Sequence, residues 1–165
     1  MRILSAAALL AGFPLALACG DVPVEPDPAD LPVVWSPVSL GSFPAGTGMM
    51  NRMRTVIRTQ PEWVAFWAQV YPPERTWMPT PPPPPEIDFR RELVVVAMMG
   101  ATPTTGYSLR ITDVRSLPDH MDVHVETVGG TNCGNALAVL YPRAVIRVSP
   151  RREEVRFVEE VLPCR

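Results

Sequence analysis

The chain of 165 residues contains no lysine, so all 15 of its basic side chains are arginine, and they face 17 carboxylates. The resulting net charge of −2 excludes a strongly basic surface. Such a surface is what nucleic-acid binding requires, because that binding is dominated by neutralisation of phosphates. The composition therefore predicts no nucleic-acid partner.

Signatures of catalysis and metal binding are also scarce. The sequence has two histidines and contains no G-x-S-x-G elbow, no H-E-x-x-H pair and no phosphate-binding loop. His120, Asp122 and His124 alternate on one face of a predicted strand, but the two histidines are then about 13 Å apart, too far to share an ion. We expect that the protein is not an enzyme and that it binds no cofactor and no metal ion. A sandwich that binds a small ligand or a metal on this face is kept as an alternative.

An apolar stretch at the N-terminus, residues 3–17, is too short to span a bilayer comfortably, since about 20 apolar residues are needed. It follows a single positive charge and ends at Ala18, directly before Cys19, as in a secretory signal peptide. The residues around Cys19 resemble a lipobox, in which the cysteine receives lipid and the chain is cut before it. We expect residues 1–18 to be removed and Cys19 to anchor the protein to a membrane on the extracytoplasmic side, in the periplasm or at the cell surface. An ordinary secretory peptide is the alternative.

The cysteine count fits this location. Of the three cysteines, lipidation takes Cys19 and leaves Cys133 and Cys164 as an even pair in an oxidising compartment. Neither has a second cysteine or histidine at ligand spacing, which argues against zinc. We expect a disulfide between Cys133 and Cys164.

Proline marks two segments of the chain. Residues 19–32 mix prolines with carboxylates, which predicts an extended acidic tether that holds the domain off the membrane. Pro79 and residues 81–85 form a second block inside the folded region, where a stiff polyproline II loop crossing one edge of the domain is favoured over a ligand for an SH3-like groove. Residues 33–165 are expected to form one domain.

The apolar patterns in this domain are mostly those of strands, with one helix. Thr59 can cap the helix, Pro61 suits its first turn, and apolar residues recur after it at spacings of three and four. Strands are predicted over residues 33–40, 52–58, 93–99, 107–114, 121–128, 136–148 and 155–162. The run 93–99 is continuously apolar, as in a strand covered on both faces. This pattern predicts a mainly β fold, an antiparallel β-sandwich or half-open barrel with one amphipathic helix.

The loop after the strand 93–99 carries the most distinctive composition, Thr102, Pro103, Thr104, Thr105, Gly106 and Tyr107. Proline fixes a bend, threonine hydroxyls can bond backbone groups, and Gly106 allows a positive φ before the next strand. One interpretation is a plain hairpin loop. The other is a partner-binding loop on a rigid support.

Short motifs occur in a fixed order around this loop, within residues 55–148. They are Pro61, Glu62, Trp63, Phe66 and Trp67 in the helix, then Ile87, Asp88 and Phe89, then Thr105, Gly106, Tyr107 and Ser108, and finally Leu140, Tyr141 and Pro142. This layout resembles the PrcB family of protease complex subunits, small bacterial lipoproteins that associate with an exported protease. The resemblance implies a subunit or modulator of such a complex, which binds a protein partner and does no chemistry itself.

The same loop, residues 102–107, is also similar to the Asn-Pro-Thr-Thr-Gly-aromatic loop of chagasin-like cysteine protease inhibitors, with threonine at the asparagine position. Gly129 and Gly130 lie where that family has a second glycine-rich loop. This resemblance implies an immunoglobulin-like sandwich whose loops enter a protease cleft, and inhibition is the alternative function. Under both resemblances, residues 102–107 with Gly129 and Gly130 are the expected partner-binding loops.

Overall fold

The computed structural model describes residues 31–40, 50–72, 82–129, 133, 136–149 and 154–164. The predicted signal peptide, Cys19 and all but the end of the tether lie outside these residues. The described elements are β1 (Leu31–Pro32), β2 (Val34–Pro37), β3 (Met53–Ile57), α1 (Gln60–Val70), β4 (Leu93–Met98), β5 (Thr102–Thr104), β6 (Ser108–Ser116), β7 (Met121–Val128), β8 (Leu137–Leu140), β9 (Arg143–Ser149) and β10 (Val155–Leu162).

Two four-stranded sheets pack face to face, and a two-stranded sheet lies apart from them. The first sheet has the order β1-β6-β7-β10, the second β2-β9-β4-β3, and the small one joins β5 to β8. All pairs are antiparallel except β7 with β10, which run parallel from Val155 beside Met121 to Leu162 beside Val128. The predicted β-sandwich is confirmed, and the described strands do not close into a barrel.

One edge of the sandwich is formed by a strand that passes from one sheet to the other. Leu31–Pro32 pair with β6, whereas Val34–Pro37 pair with β9, and the buried Val33 lies between them. The sequence predicts an unpacked tether through residue 32. The structure instead places the last two residues of that segment in the first sheet.

The opposite edge is closed by ion pairs between β3 and β10. The guanidinium of Arg54 donates from Nε and Nη2 to the two carboxylate oxygens of Glu159, at 2.5 and 3.0 Å. Its Nη1 donates to the carbonyl oxygens of Met53 and Met98, and Arg52 lies 3.1 Å from the same carboxylate. Arg54 therefore joins both sheets through one side chain.

Apolar side chains fill the space between the sheets and also the space under the helix. The inter-sheet core is made of Val33, Leu93, Val95, Ala97, Leu109, Ile111, Val114, Met121, Val123, Val125, Ile146 and Val148. The alternate residues of β4 face α1, so all six of its side chains are buried. The prediction of a strand covered on both faces is confirmed.

Helix α1 begins as its sequence predicts. The Thr59 hydroxyl accepts from the backbone N–H of Glu62, while the Glu62 carboxylate accepts from the backbone N–H groups of Arg58 and Thr59 at 2.7 and 3.1 Å, a capping box. The hydrogen bond from Arg58, with those from Thr59, holds the pKa of the Glu62 carboxyl below its usual value. Trp63, Phe66, Trp67 and Val70 are buried against the second sheet.

The structure differs from the sequence analysis in one predicted strand and in one of the two interpretations of the loop after β4. Residues 136–148 form two strands, because Pro142 has no N–H to continue a ladder and the chain turns there, with the Met99 N–H donating to the Pro142 carbonyl at 2.9 Å. The loop after β4 is not a hairpin, since β4 and β6 belong to different sheets.

In the described part of the chain, no helix is long and apolar enough to cross a membrane.

Candidate functional site

The predicted binding loop crosses from the second sheet to the first at one end of the sandwich. It begins at Gly100, whose φ of 85° lies in the left-handed region. A Cβ on Gly100 would lie 2.7 Å from the carbonyl oxygen of Met50, so glycine is required here by both backbone and space. Gly106, which the sequence analysis notes could take a positive φ, does not have one. Gly100 is the one described glycine that does.

Within the loop, Thr102–Thr104 form β5 and pair with Leu137–Leu140, and we call this two-stranded sheet the ribbon. Thr102 lies opposite Leu140 and Thr104 opposite Leu137, with an irregularity between the two pairs. The buried Thr102 hydroxyl donates to the Leu140 carbonyl at 3.2 Å. These bonds fix the path of the loop on β8.

The threonine hydroxyls predicted to meet a partner are partly used inside the protein. Thr104 Oγ1 donates to the carbonyl oxygen of Cys133, and the Thr105 N–H donates to the Ala136 carbonyl at 3.3 Å. Pro103 and Thr105 are exposed, whereas Thr104 is half-buried. The outward surface of the loop is thus formed by Pro103 and Thr105.

A disulfide holds the segment that leads into the ribbon. Cys133 and Cys164 are bonded, with their Cα atoms 5.3 Å apart, as the sequence predicts. Cys133 is buried, and the sulfur of Cys164 lies 3.6 Å from the Gly106 carbonyl oxygen. Because that sulfur carries no proton, this is a packing contact. The bridge therefore ties the end of β10 to the segment before β8, next to the loop.

The second predicted loop also reaches this end of the molecule. A Cβ on Gly129 would lie 3.1 Å from Cδ1 and Cε1 of Tyr107 and 3.2 Å from Cε of Met99, so the tyrosine ring packs directly on this glycine. The Gly129 N–H donates to the Leu162 carbonyl at 3.1 Å. The structure thus brings Gly129 beside residues 102–107. Gly130 lies outside the described residues.

The ribbon exposes apolar side chains that sequence reasoning missed. Leu137 is 93% exposed, Val139 51% and Leu140 39%. The sequence predicts one strand over residues 136–148, because an apolar run does not indicate which of its residues are covered by another layer of the fold and which are exposed. The available sign was the Tyr141-Pro142 pair, which ends β8 before the strand that enters the core.

Charge is absent from the ribbon and its loop. Neither residues 102–107 nor residues 136–142 contain an Asp, Glu, Arg, Lys or His. The nearest cation along the chain is Arg143, whose Nη1 donates to the Tyr141 carbonyl at 3.1 Å, and burial lowers the pKa of its guanidinium. Such a surface is suited to contact with apolar, uncharged groups.

The histidines do not form a site with their neighbours. His120 Nδ1 lies 2.5 Å from Asp119 and its Nε2 lies 3.2 Å from Asp122, while His124 is paired along the ladder with Asp113. Among the described residues, no three His, Cys, Asp or Glu side chains are placed to hold a metal ion. The alternative of a metal site on this face has no support in this part of the chain.

A comparison with protein families finds one matching region. The model described as PrcB C-terminal matches residues 93–149. This region is therefore similar to the PrcB C-terminal family. The match runs from β4 to β9 and includes the ribbon and Gly129. The PrcB family relates the chain to subunits of protease complexes, whereas the chagasin-like resemblance has no corresponding match. Searches of curated proteins and of solved structures found no match.

Proposed function

We propose that this protein is a lipid-anchored subunit or modulator of an exported protease complex, and that it binds its protein partner through the ribbon. The partner contacts Leu137, Val139 and Leu140 on β8 and the exposed Pro103 and Thr105 on the loop. In this proposal the protein supplies binding and does no chemistry, as its similarity to a protease complex subunit implies.

The observation that carries this proposal is the exposure of three of the four side chains of β8, all of them large and apolar. Exposed apolar side chains are common singly, but a contiguous group without charge is typical of an interaction surface. The strand is held in place, because the Thr102 hydroxyl donates to the Leu140 carbonyl, and because the Thr104 hydroxyl and the disulfide both hold Cys133 just before β8. A surface that is rigid before binding loses less conformational entropy when the partner binds.

The PrcB C-terminal match and the signal-peptide pattern at the N-terminus support the rest of the proposal. The PrcB C-terminal match includes the ribbon, so the surface proposed to bind lies in the part of the chain that relates it to protease complexes. The signal peptide and Cys19 would hold the protein at a membrane outside the cytoplasm, where an exported protease is found. An acidic tether ahead of residue 31 gives the domain reach from that membrane.

Protease inhibition is the second candidate, and one observation favours it. Tyr107 packs on Gly129, so the two loops expected to enter a protease cleft lie side by side. Inhibition predicts that the purified domain blocks papain-like proteases by itself. A complex subunit predicts no block, and a panel of such proteases distinguishes the two.

The ribbon is tested by Leu137→Ser combined with Val139→Ser. Both side chains are more than half exposed, so the fold should be retained, and capture of the partner from solubilised envelope fractions should fall about tenfold or more, equivalent to about 1.4 kcal/mol. Val34→Ser is the matched control, because Val34 is 80% exposed on β2, which belongs to another sheet. Equal capture by both variants would exclude the ribbon as the contact.

Anchoring is tested separately by Cys19→Ser. The variant should move from membrane to soluble fractions and keep its unfolding temperature, because the anchor and the sandwich are different segments. Continued membrane association, or no acyl mass on Cys19 of the wild-type protein, would rule out the lipoprotein part of the proposal and leave the ribbon test unaffected.

A further inference from the structure

Two tryptophans of α1 hold a proline segment of the same chain. The indole Nε1–H of Trp63 donates to the Pro85 carbonyl at 3.0 Å, and that of Trp67 donates to the Pro82 carbonyl at 2.9 Å. We call residues 82–85, four consecutive prolines, the strap. The rings are buried with the core under the helix, and their N–H edges are directed at the strap.

The spacing of these bonds matches two regular structures. Four prolines in a row favour polyproline II, because each ring fixes φ and restricts the residue before it. That helix has three residues per turn, so the carbonyls of Pro82 and Pro85 lie on the same side, one turn apart. Residues four apart on an α-helix also lie on one face. Trp63 and Trp67 thus present two donors in register with one turn of polyproline.

This arrangement uses the chemistry by which proteins recognise proline-rich ligands. Such ligands dock their exposed carbonyls and ring faces in grooves lined by aromatic side chains, and their stiffness lowers the entropy lost on binding. Here Trp63 stacks with Phe66 at 5.5 Å and Trp67 lies 5.1 Å from the ring of Tyr71, which extends the aromatic row. The outer side of the strap remains open, since Pro82 and Pro83 are exposed.

We propose that Trp63 and Trp67 form a polyproline-binding site, which the chain fills with its own strap and from which a proline-rich segment of another protein can displace it. The ligand class is set by the two indole donors and the aromatic row. The seated strap shows which chemistry the site accepts. This site is on the helix layer and is separate from the ribbon, so it does not depend on the function proposed for the ribbon.

Because the strap is part of the same chain, it competes with any free proline-rich peptide for the two tryptophans. A short tether gives an effective concentration on the order of millimolar. A free peptide therefore competes with the strap of the wild-type protein only at comparable concentration. Loosening the strap should raise the apparent affinity of the peptide.

The experiment titrates synthetic decaproline into the full-length protein and follows the indole N–H signals by NMR. The signals of Trp63 and Trp67 should shift on addition of about 10 mM peptide, whereas that of Trp35, which packs at the inter-sheet core, should not. An alanine-serine peptide of equal length is the control. Absence of shifts with decaproline, or equal shifts at Trp35, would overturn the proposal.

The full-length variant Pro82→Gly with Pro83→Gly tests the competition. Both residues are exposed, and glycine keeps the Pro82 carbonyl while removing the stiffness of the strap. Decaproline should bind this variant about tenfold more tightly than wild type, and an added Trp67→Phe, which keeps the ring and removes one donor, should reverse that gain. Equal affinity of the glycine variant and wild type would overturn the proposal. If the glycine variant does not fold, the wild-type titration decides alone.

Discussion

Removal of the disulfide should lower the stability of the domain by an amount that follows from its position. Cys133 and Cys164 are 31 residues apart in sequence, and closing a loop of that length in the unfolded chain corresponds to about 3 to 4 kcal/mol on the chain-entropy account. For a domain of this size, each kcal/mol corresponds to roughly 3 to 5 °C in unfolding temperature. The variant Cys133→Ser with Cys164→Ser should therefore unfold roughly 10 °C or more below wild type.

Calorimetry of three samples checks this reasoning. These are the oxidised wild type, the double serine variant, and wild type reduced until both thiols are titratable. The last two should agree, because both lack the same link. A variant that unfolds within about 3 °C of oxidised wild type would refute the argument, since the unfolded chain would then gain little freedom when the bridge is removed. The inter-sheet core should persist in all three, because neither cysteine belongs to it.

Two further predictions concern Glu159, at the edge closed by ion pairs, and Gly129, which packs against Tyr107. Burial acts to raise the pKa of the Glu159 carboxyl, but its bonds to Arg54 and Arg52 outweigh this and hold the pKa below the ordinary 4.5. The ion pairs therefore stabilise the fold above pH 4.5, and their contribution is lost as the pH falls through the lower folded-state value. Urea unfolding should show Glu159→Gln less stable than wild type by up to about 1 kcal/mol at pH 7, with the difference disappearing in strong acid. A difference that persists there would contradict the linkage. Gly129→Ala should cost about 1 to 3 kcal/mol, because its Cβ would press on the Tyr107 ring at 3.1 Å. Thermal unfolding should show that Tyr107→Ala relieves this cost, and additive losses would exclude the contact.

Elements whose burial follows from local pattern could be predicted from the sequence. The apolar run 93–99 is β4, buried on both faces, and Thr59 and Pro61 start α1 where the capping pattern indicates. These predictions succeed because a strand between two layers must be apolar throughout, and because caps are local hydrogen bonds.

Features that depend on distant partners could not be predicted in this way. The parallel pairing of β10 with β7 is set by the return of the chain from β9 in the other sheet, which no local pattern records. The positive φ belongs to Gly100 and not to Gly106, and the requirement for glycine at Gly100 also comes from the close approach of the distant residues 50–52. β5 was missed since it is three residues long, contains Pro103, and depends on β8 for its pairing.

The sequence composition identified part of the candidate site, and the structure adds the exposed side chains of β8. The sequence predicted the loop, Gly129 and the disulfide, and the structure brings them together. It did not predict that Leu137 and Val139 would be exposed beside them. The exposure of β8 results from the absence of a sheet over it in the described residues, which is a property of the fold and not of the four side chains.

The disulfide lies beside two strands, β10 and β8, whose free edges differ in charge. β10 carries Glu159 turned toward β3 and held by Arg54, and an inward-facing charge at a sheet edge disfavours pairing with another chain. β8 has no charge, and in the described structure it pairs only with β5. The bridge from Cys164 to Cys133 links the segment before β8 to the end of β10. A partner that binds the ribbon therefore contacts a surface supported by the sandwich, while the edge that could add foreign strands to the main sheet stays closed.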